Sequence, residues 1–129
     1  MSYRKRHDFS FLPRRFRPNI SDIDISSRLK GKTGEYDSDT KKVTIHPSHL
    51  TKKTMTHEAG HRTFWEILTK QQRQEWYDFI RRQGDTRSIV LAEEEFADAF
   101  TRAMGVYDDT RSPYYASSVR LVKRLLNIR

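Results

Sequence analysis

The sequence predicts a single small α+β domain: a β-hairpin or small, mostly antiparallel sheet packed on a helix, followed by a helical C-terminal half. Three observations carry this. The 129 residues give one domain by size, with little room for a second. Two β-prone runs, Glu35-Tyr36 and Lys42-Val43-Thr44-Ile45-His46, flank the turn formers Asp37-Ser38-Asp39-Thr40. Beyond Pro47, apolar residues recur at helical spacing as far as Asn127.

Taken in order, residues 1–20 form a basic N-terminal arm ahead of a single domain over 21–129. Arg4, Lys5, Arg6, Arg14, Arg15 and Arg17 crowd the arm, and Pro13 and Pro18 break any regular element in it. The arm drapes over the domain or stays loose, with Phe9, Phe11, Leu12 and Phe16 as possible anchors. Ile20, Ile23 and Ile25 fit a strand or a short helix equally well. The hairpin occupies 34–47, where Pro47 ends its second strand. A first helix runs from about 48–50 to 69 and a second over 70–82, with Trp76, Phe79 and Ile80 as its core stripe and Gly84 as its stop. A third opens near Ser88, a plausible N-cap, and ends before Gly105. The last covers about 115–127 and puts Val119, Val122, Leu125 and Leu126 on one face.

Composition narrows the function classes. No apolar run approaches the roughly 20 residues that span a bilayer, so no membrane role is expected. The chain has no cysteine, which excludes disulfide scaffolds and thiolate chemistry. With no apolar signal segment behind the basic N-terminus, a cytoplasmic location is expected. The net charge of +8 suits an anionic partner but specifies none.

His57-Glu58-Ala59-Gly60-His61 is an HExxH motif. A helix sets residues i and i+4 on one face, so both imidazoles can reach one metal ion. Glu58 stands beside them and can take a proton from water. Zn2+ suits imidazole nitrogen, and a catalytic site needs a third protein ligand. Two positions rule out one arrangement: Phe64 and Ile67 stand where the metzincin pattern requires Gly and His. A carboxylate from the run Glu93-Glu94-Glu95 on the third helix can complete the set. The helical period puts Glu93 inside the apolar arc of that helix and Glu94 at its edge, so periodicity alone favours Glu93.

The HEAGH sequence followed by Glu94-Glu95-Phe96-Ala97-Asp98-Ala99-Phe100 resembles the gluzincin clan of zinc peptidases. The segment is similar to the glutamate helix of the anthrax lethal factor protease domain and to that of ImmA/IrrE-like peptidases. Size and element order resemble the minigluzincins, over about residues 34–105. The resemblance implies a zincin-like domain, zinc held by His57, His61 and Glu94, Glu58 as the general base, and Asp98 as the acid that orients a ligand histidine. It also implies a peptide or protein substrate lying along the strand 43–46, and latency through a terminal segment over the cleft. The sequence departs from the lethal factor domain it resembles at Arg87, where that domain has a Tyr seven residues before its glutamate ligand. Tyr107, Tyr114, Tyr115 and His46 are the candidates left to stabilise the oxyanion.

The expected function is therefore a zinc-dependent endopeptidase. The alternative is a basic nucleic-acid-binding or regulatory module with a structural or vestigial zinc site. In that alternative Tyr3, Phe9, Phe11 and Phe16 stack on bases between the arm's arginines.

Overall fold

The computed structural model describes residues 8–29, 31–83, 89–106 and 113–128, the side chains of Ile89, Val90 and Pro113 excepted. Strands β1 (Ile23–Ile25), β2 (Gly34–Asp37) and β3 (Lys42–Ile45) form one sheet in the order β1-β3-β2. β3 is central, parallel to β1 and antiparallel to β2. The hairpin between β2 and β3 is closed by Asp37, whose Oδ1 accepts from the amides of Asp39 (2.9 Å) and Thr40 (3.3 Å). Lys41 completes the reversal at φ 63°, in the left-handed region. The isoleucine run that fitted either element contains both: a 3-10 turn at Ile20–Asp22 leads directly into β1.

Four helices follow: α1 (Lys52–Glu66), α2 (Lys70–Arg82), α3 (Ile89–Ala103) and α4 (Pro113–Leu125). Thr51 caps α1 by accepting from the Thr54 amide at 3.2 Å. Thr69 and Gln72 form a reciprocal capping box at the start of α2. The expected stop at Gly84 and cap at Ser88 lie outside the described residues.

Val43 and Ile45 are fully buried beneath α1, and Phe64, Trp76, Phe96 and Phe100 are fully buried between the helices. Each such side chain contributes about 1.5–3 kcal/mol by leaving water. The Trp76 indole keeps its polar end satisfied by donating to Ala92 O at 2.7 Å. α1 and α3 meet closely at Gly60. A Cβ there would lie 3.0 Å from Ala97 Cα and 3.1 Å from Phe100 Cδ2. This absence of a side chain lets the histidine face of α1 stand against the carboxylates of α3.

The described part of the arm drapes rather than hangs. Phe9, Leu12 and Phe16 join the core, and Phe16 meets Phe100 edge-on at 5.3 Å. Arg15 donates to Leu126 O, and Arg17 donates to the carbonyls of Leu12 (2.7 Å) and Ser10 (2.9 Å). Phe9 and Phe16 are thus withdrawn from any stacking role, while Tyr3 and Arg4–Arg6 lie outside the described residues. No described helix is long and apolar enough to cross a membrane.

Candidate metal centre

One turn of α1 separates His57 from His61, and their Nε2 atoms face each other at 3.2 Å. Glu94 of α3 closes the group. Its Oε2 lies 3.0 Å from His57 Nε2 and its Oε1 lies 3.2 Å from His61 Nε2. Each ring's other nitrogen is held by a second carboxylate of α3. His57 Nδ1 is 3.1 Å from Asp98 Oδ1, and His61 Nδ1 is 2.7 Å from Glu93 Oε2.

A carboxylate oxygen stands at both nitrogens of each ring and can only accept, so in the metal-free chain both rings favour the imidazolium form, with N–H groups directed at Asp98, Glu93 and Glu94. A metal ion would take the place of the Nε2 protons and leave each Nδ1–H on its outer carboxylate. The donor set of His57, His61 and Glu94 could hold a metal ion, with ligand atoms within 4.8 Å of one another.

The proton affinities express the same crowding. For His57, burial pulls the pKa down, but hydrogen bonds to Asp98 and Glu94 outweigh it and raise it to about 9. For His61, burial is again outweighed, here by Glu93 and Glu94, and the value rises to about 10. Glu94 is held well below the usual carboxylate range by His57 first and His61 second. Glu58 moves the other way: burial raises its pKa, against the pull of His61 and His57.

Glu58 is only 5% exposed, and it is wedged under β2. A Cβ on Gly34 would stand 2.9 Å from Glu58 Cγ and 3.1 Å from its Oε2. Gly34 is the residue at this point of β2 because nothing larger leaves room for Glu58. Tyr36, two residues on, faces the same helix and donates its hydroxyl to Glu66 Oε2 at 2.7 Å.

A groove runs between β2 and the two helices, in two halves that share Thr33, His57 and Glu58. One half is lined by Lys32, Glu35, Tyr36, His61, Glu93 and Glu94. The other is lined by His49, Thr51, Lys53, Thr54, Asp98 and Thr101. No described residue of the arm or of α4 lines either half.

The strand beside the groove is β2, not the expected 43–46. That stretch is the central strand β3, spent on both sides: Ile45 O accepts from Ser26 N at 3.1 Å, and His46 N donates to Thr33 O at 2.9 Å. Antiparallel alternation then points the N–H and C=O groups of Gly34 and Tyr36 away from β3, along the open edge.

Of the expected oxyanion donors, the described ones, Tyr114, Tyr115 and His46, do not line the groove. Tyr114 donates to Glu95 Oε2 at 2.8 Å and stacks on Phe79. The Tyr115 ring lies under the Arg102 guanidinium, 3.9 Å away. His46 spends its Nδ1 on Ser48. Tyr107 and Arg87 lie outside the described residues. Sequence reasoning weighed Glu93 only as an alternative third ligand and missed its place on His61 Nδ1, and it gave His49, which lines the groove, no role. Glu93 carried a signal in its place inside the apolar arc, since a buried carboxylate needs a partner. His49 carried none.

No known protein-family model, curated protein or solved structure matches the chain.

Proposed function

We propose that the chain is a zinc-dependent endopeptidase of the gluzincin type. One observation carries the reading: two imidazole Nε2 atoms and the Glu94 carboxylate converge on one point, while Glu93 and Asp98 hold the far side of each ring. Two nitrogens and one carboxylate oxygen are a donor set that zinc takes where a fourth position stays open, and carboxylates behind ligand histidines fix ring orientation. Zinc bound there supplies Lewis acidity toward a carbonyl and a water that ionises near pH 7.

The chain's own groups account for the rest. Gly34 and Tyr36 offer backbone N–H and C=O to an extended peptide, which adds as a strand and is held by main-chain hydrogen bonds whatever its sequence. Glu58 is the general base, taking a proton from the attacking water and delivering it to the departing amine. Its raised pKa suits a group that must hold that proton between the two transfers. Burial against Gly34 keeps its carboxylate from swinging away.

The test is metal content by elemental mass spectrometry, followed by peptide cleavage. Wild type should carry about one zinc per chain, and His57→Ala should carry none. Glu58→Gln should keep the zinc and lose about 10²–10⁴ in kcat. Metal-free wild type after zinc is supplied, or a Glu58→Gln variant as active as wild type, would falsify the reading.

A further inference from the structure

We infer that the N-terminal arm and α4 together form a basic face that binds double-stranded DNA through its phosphates; the inference stands apart from the peptidase reading above.

Charge is unevenly divided along the chain. Residues 9–21 and 110–129 contain no Asp or Glu. The fold joins these two stretches: Arg15, on the 3-10 turn Arg14–Phe16, donates to Leu126 O just past the end of α4. Arg14, Arg15, Arg120, Lys123 and Arg124 are the cations gathered there. The carboxylates Glu35, Glu58, Glu93, Glu94 and Asp98 line the groove instead, where no described residue of the arm or of α4 reaches. DNA on the basic face therefore leaves the groove open.

Arg14, Arg15, Arg120 and Arg124 are all exposed. Three of them are already held in place. Arg15 is fixed on Leu126 O, Arg120 Nη2 donates to Ser117 Oγ at 3.1 Å, and Arg124 pairs with Glu75 of α2. A guanidinium carries five N–H donors, so one such bond orients the group without exhausting it. Side chains ordered in advance lose less freedom when a phosphate arrives. The pair of Arg124 with Glu75 is exposed at both ends, hence weak and open to competition from phosphate.

The kind of partner follows from what surrounds these cations. The aromatic rings of the two elements are occupied: Phe16 is fully buried, Tyr114 stacks on Phe79, and Tyr115 lies under Arg102. None is presented for the base stacking on which single-strand binding depends. The exposed large hydrophobics among the described residues, Ile20, Trp65 and Leu91, lie outside Arg14–Phe16 and α4. The face thus lacks the apolar side chains that seat a basic helix in a lipid surface. RNA duplexes are held in part through their 2′-hydroxyls, whereas this face offers mainly cations. What it fits is the phosphate backbone of duplex DNA, independent of sequence.

The experiment is fluorescence anisotropy of a labelled DNA duplex of about 20 base pairs with the full chain, between 50 and 200 mM salt. Wild-type affinity should fall about 100-fold across that range, as about four phosphate contacts require. Arg14→Glu with Arg120→Glu should bind at least about 10-fold more weakly and make the logarithmic salt slope shallower by about 2. Lys41→Glu with Lys42→Glu, on the hairpin, is the control: either pair of reversals removes four charges from the net +8. The control should stay close to wild type. Arg14→Gln with Arg120→Gln adds no repulsion and should change the slope by the same amount, so it decides the matter if the Glu pair fails to fold. Circular dichroism and melting temperature check folding in each case. The inference is overturned if wild type does not bind the duplex at the low-salt end, or if the Arg14 and Arg120 pairs leave affinity and slope unchanged. It is equally overturned if the hairpin pair loses as much, so that binding follows net charge alone. Tighter binding to the single strand, to an RNA duplex of the same sequence or to phosphatidylserine vesicles also overturns it.

Discussion

The floor of the groove and its wall are built by different means. The floor is the contact of α1 with α3, and its polar groups come from two helices: His57 and His61 four residues apart on one, Glu94 and Asp98 four residues apart on the other, with Glu93 beside Glu94. The wall is β2 with the turn before it, and what counts there is a missing side chain at Gly34 and an unused row of backbone groups. A floor of this kind fails all at once when the helices separate. A wall of this kind fails in the chemistry while the metal group stands.

The largest effect should come from prising the floor apart. Gly60→Val puts a branched side chain where a single Cβ already lies 3.0 Å from Ala97 Cα. Overpacking against backbone costs about 3 kcal/mol, well above the roughly 1 kcal/mol that replacing a helical glycine returns. Denaturant unfolding should show that loss, and zinc content should fall with it. A Gly60→Val protein that keeps wild-type stability and zinc would show that the two helices can meet without this glycine.

The wall is broken at Gly34. In Gly34→Ala the new Cβ must displace Glu58, since 2.9 Å to its Cγ is not a contact that real Cβ atoms make. The three atoms nearest that Cβ all belong to Glu58 and none to His57, His61 or Glu94, so zinc content and global stability should hold near wild type. Turnover should fall about 10–100-fold, because a displacement of about 1 Å at a reacting group costs on that order. Equal loss of zinc and turnover would mean the wall supports the floor, and the division drawn above would not stand.

The floor was legible in the sequence because helical spacing is a local property. HExxH, the acidic run and the small residues Gly60 and Ala97 could all be read from short windows. Even the ambiguity between Glu93 and Glu94 had content: Glu93 is the more buried of the two, as its wheel position says, yet the geometry brings Glu94 to the two Nε2 atoms. The wall was not legible. Which strand of a small sheet lies at the edge depends on β1 pairing with β3 across the intervening chain, and three residues, Ile23–Ile25, give too short a pattern to announce it. With β1 undecided, β3 could be taken for the edge strand. His49 was equally hidden, because a 3-10 turn has no period that aims a side chain.

A finer test separates the two ends of the floor. Glu93 and Asp98 do the same thing for His61 and His57, but the Glu93 side chain is 19% exposed and the Asp98 side chain 45%. Water can replace Asp98 more readily than Glu93. Both Glu93→Gln and Asp98→Asn should weaken zinc binding within the 10–100-fold range, with Glu93→Gln nearer the top of it. Titration with a chelator competitor measures both. The reverse order would place the anchoring hydrogen bond at the open end of the centre.

The smallest effect is a change of slope with pH, and it reports on the floor without any substitution. In the metal-free chain His57 and His61 have pKa values raised to about 9 and about 10 from the ordinary 6.5. A raised pKa means that the folded state binds the proton more tightly. The stabilisation is therefore complete below about pH 6.5 and is lost as pH rises through 9 to 10. Glu94, depressed, contributes above its ordinary value of 4.5 and loses that contribution on acidification. The melting temperature of EDTA-treated protein should accordingly fall between pH 6.5 and 10. Zinc needs the imidazoles without those protons, so binding must expel them and tighten as pH rises. The zinc-loaded protein should then gain on the metal-free one across the same window, and calorimetry in buffers of different ionisation enthalpy should count the protons released. Parallel melting curves with and without zinc would mean that the protons on His57 and His61 and the metal do not compete for one place.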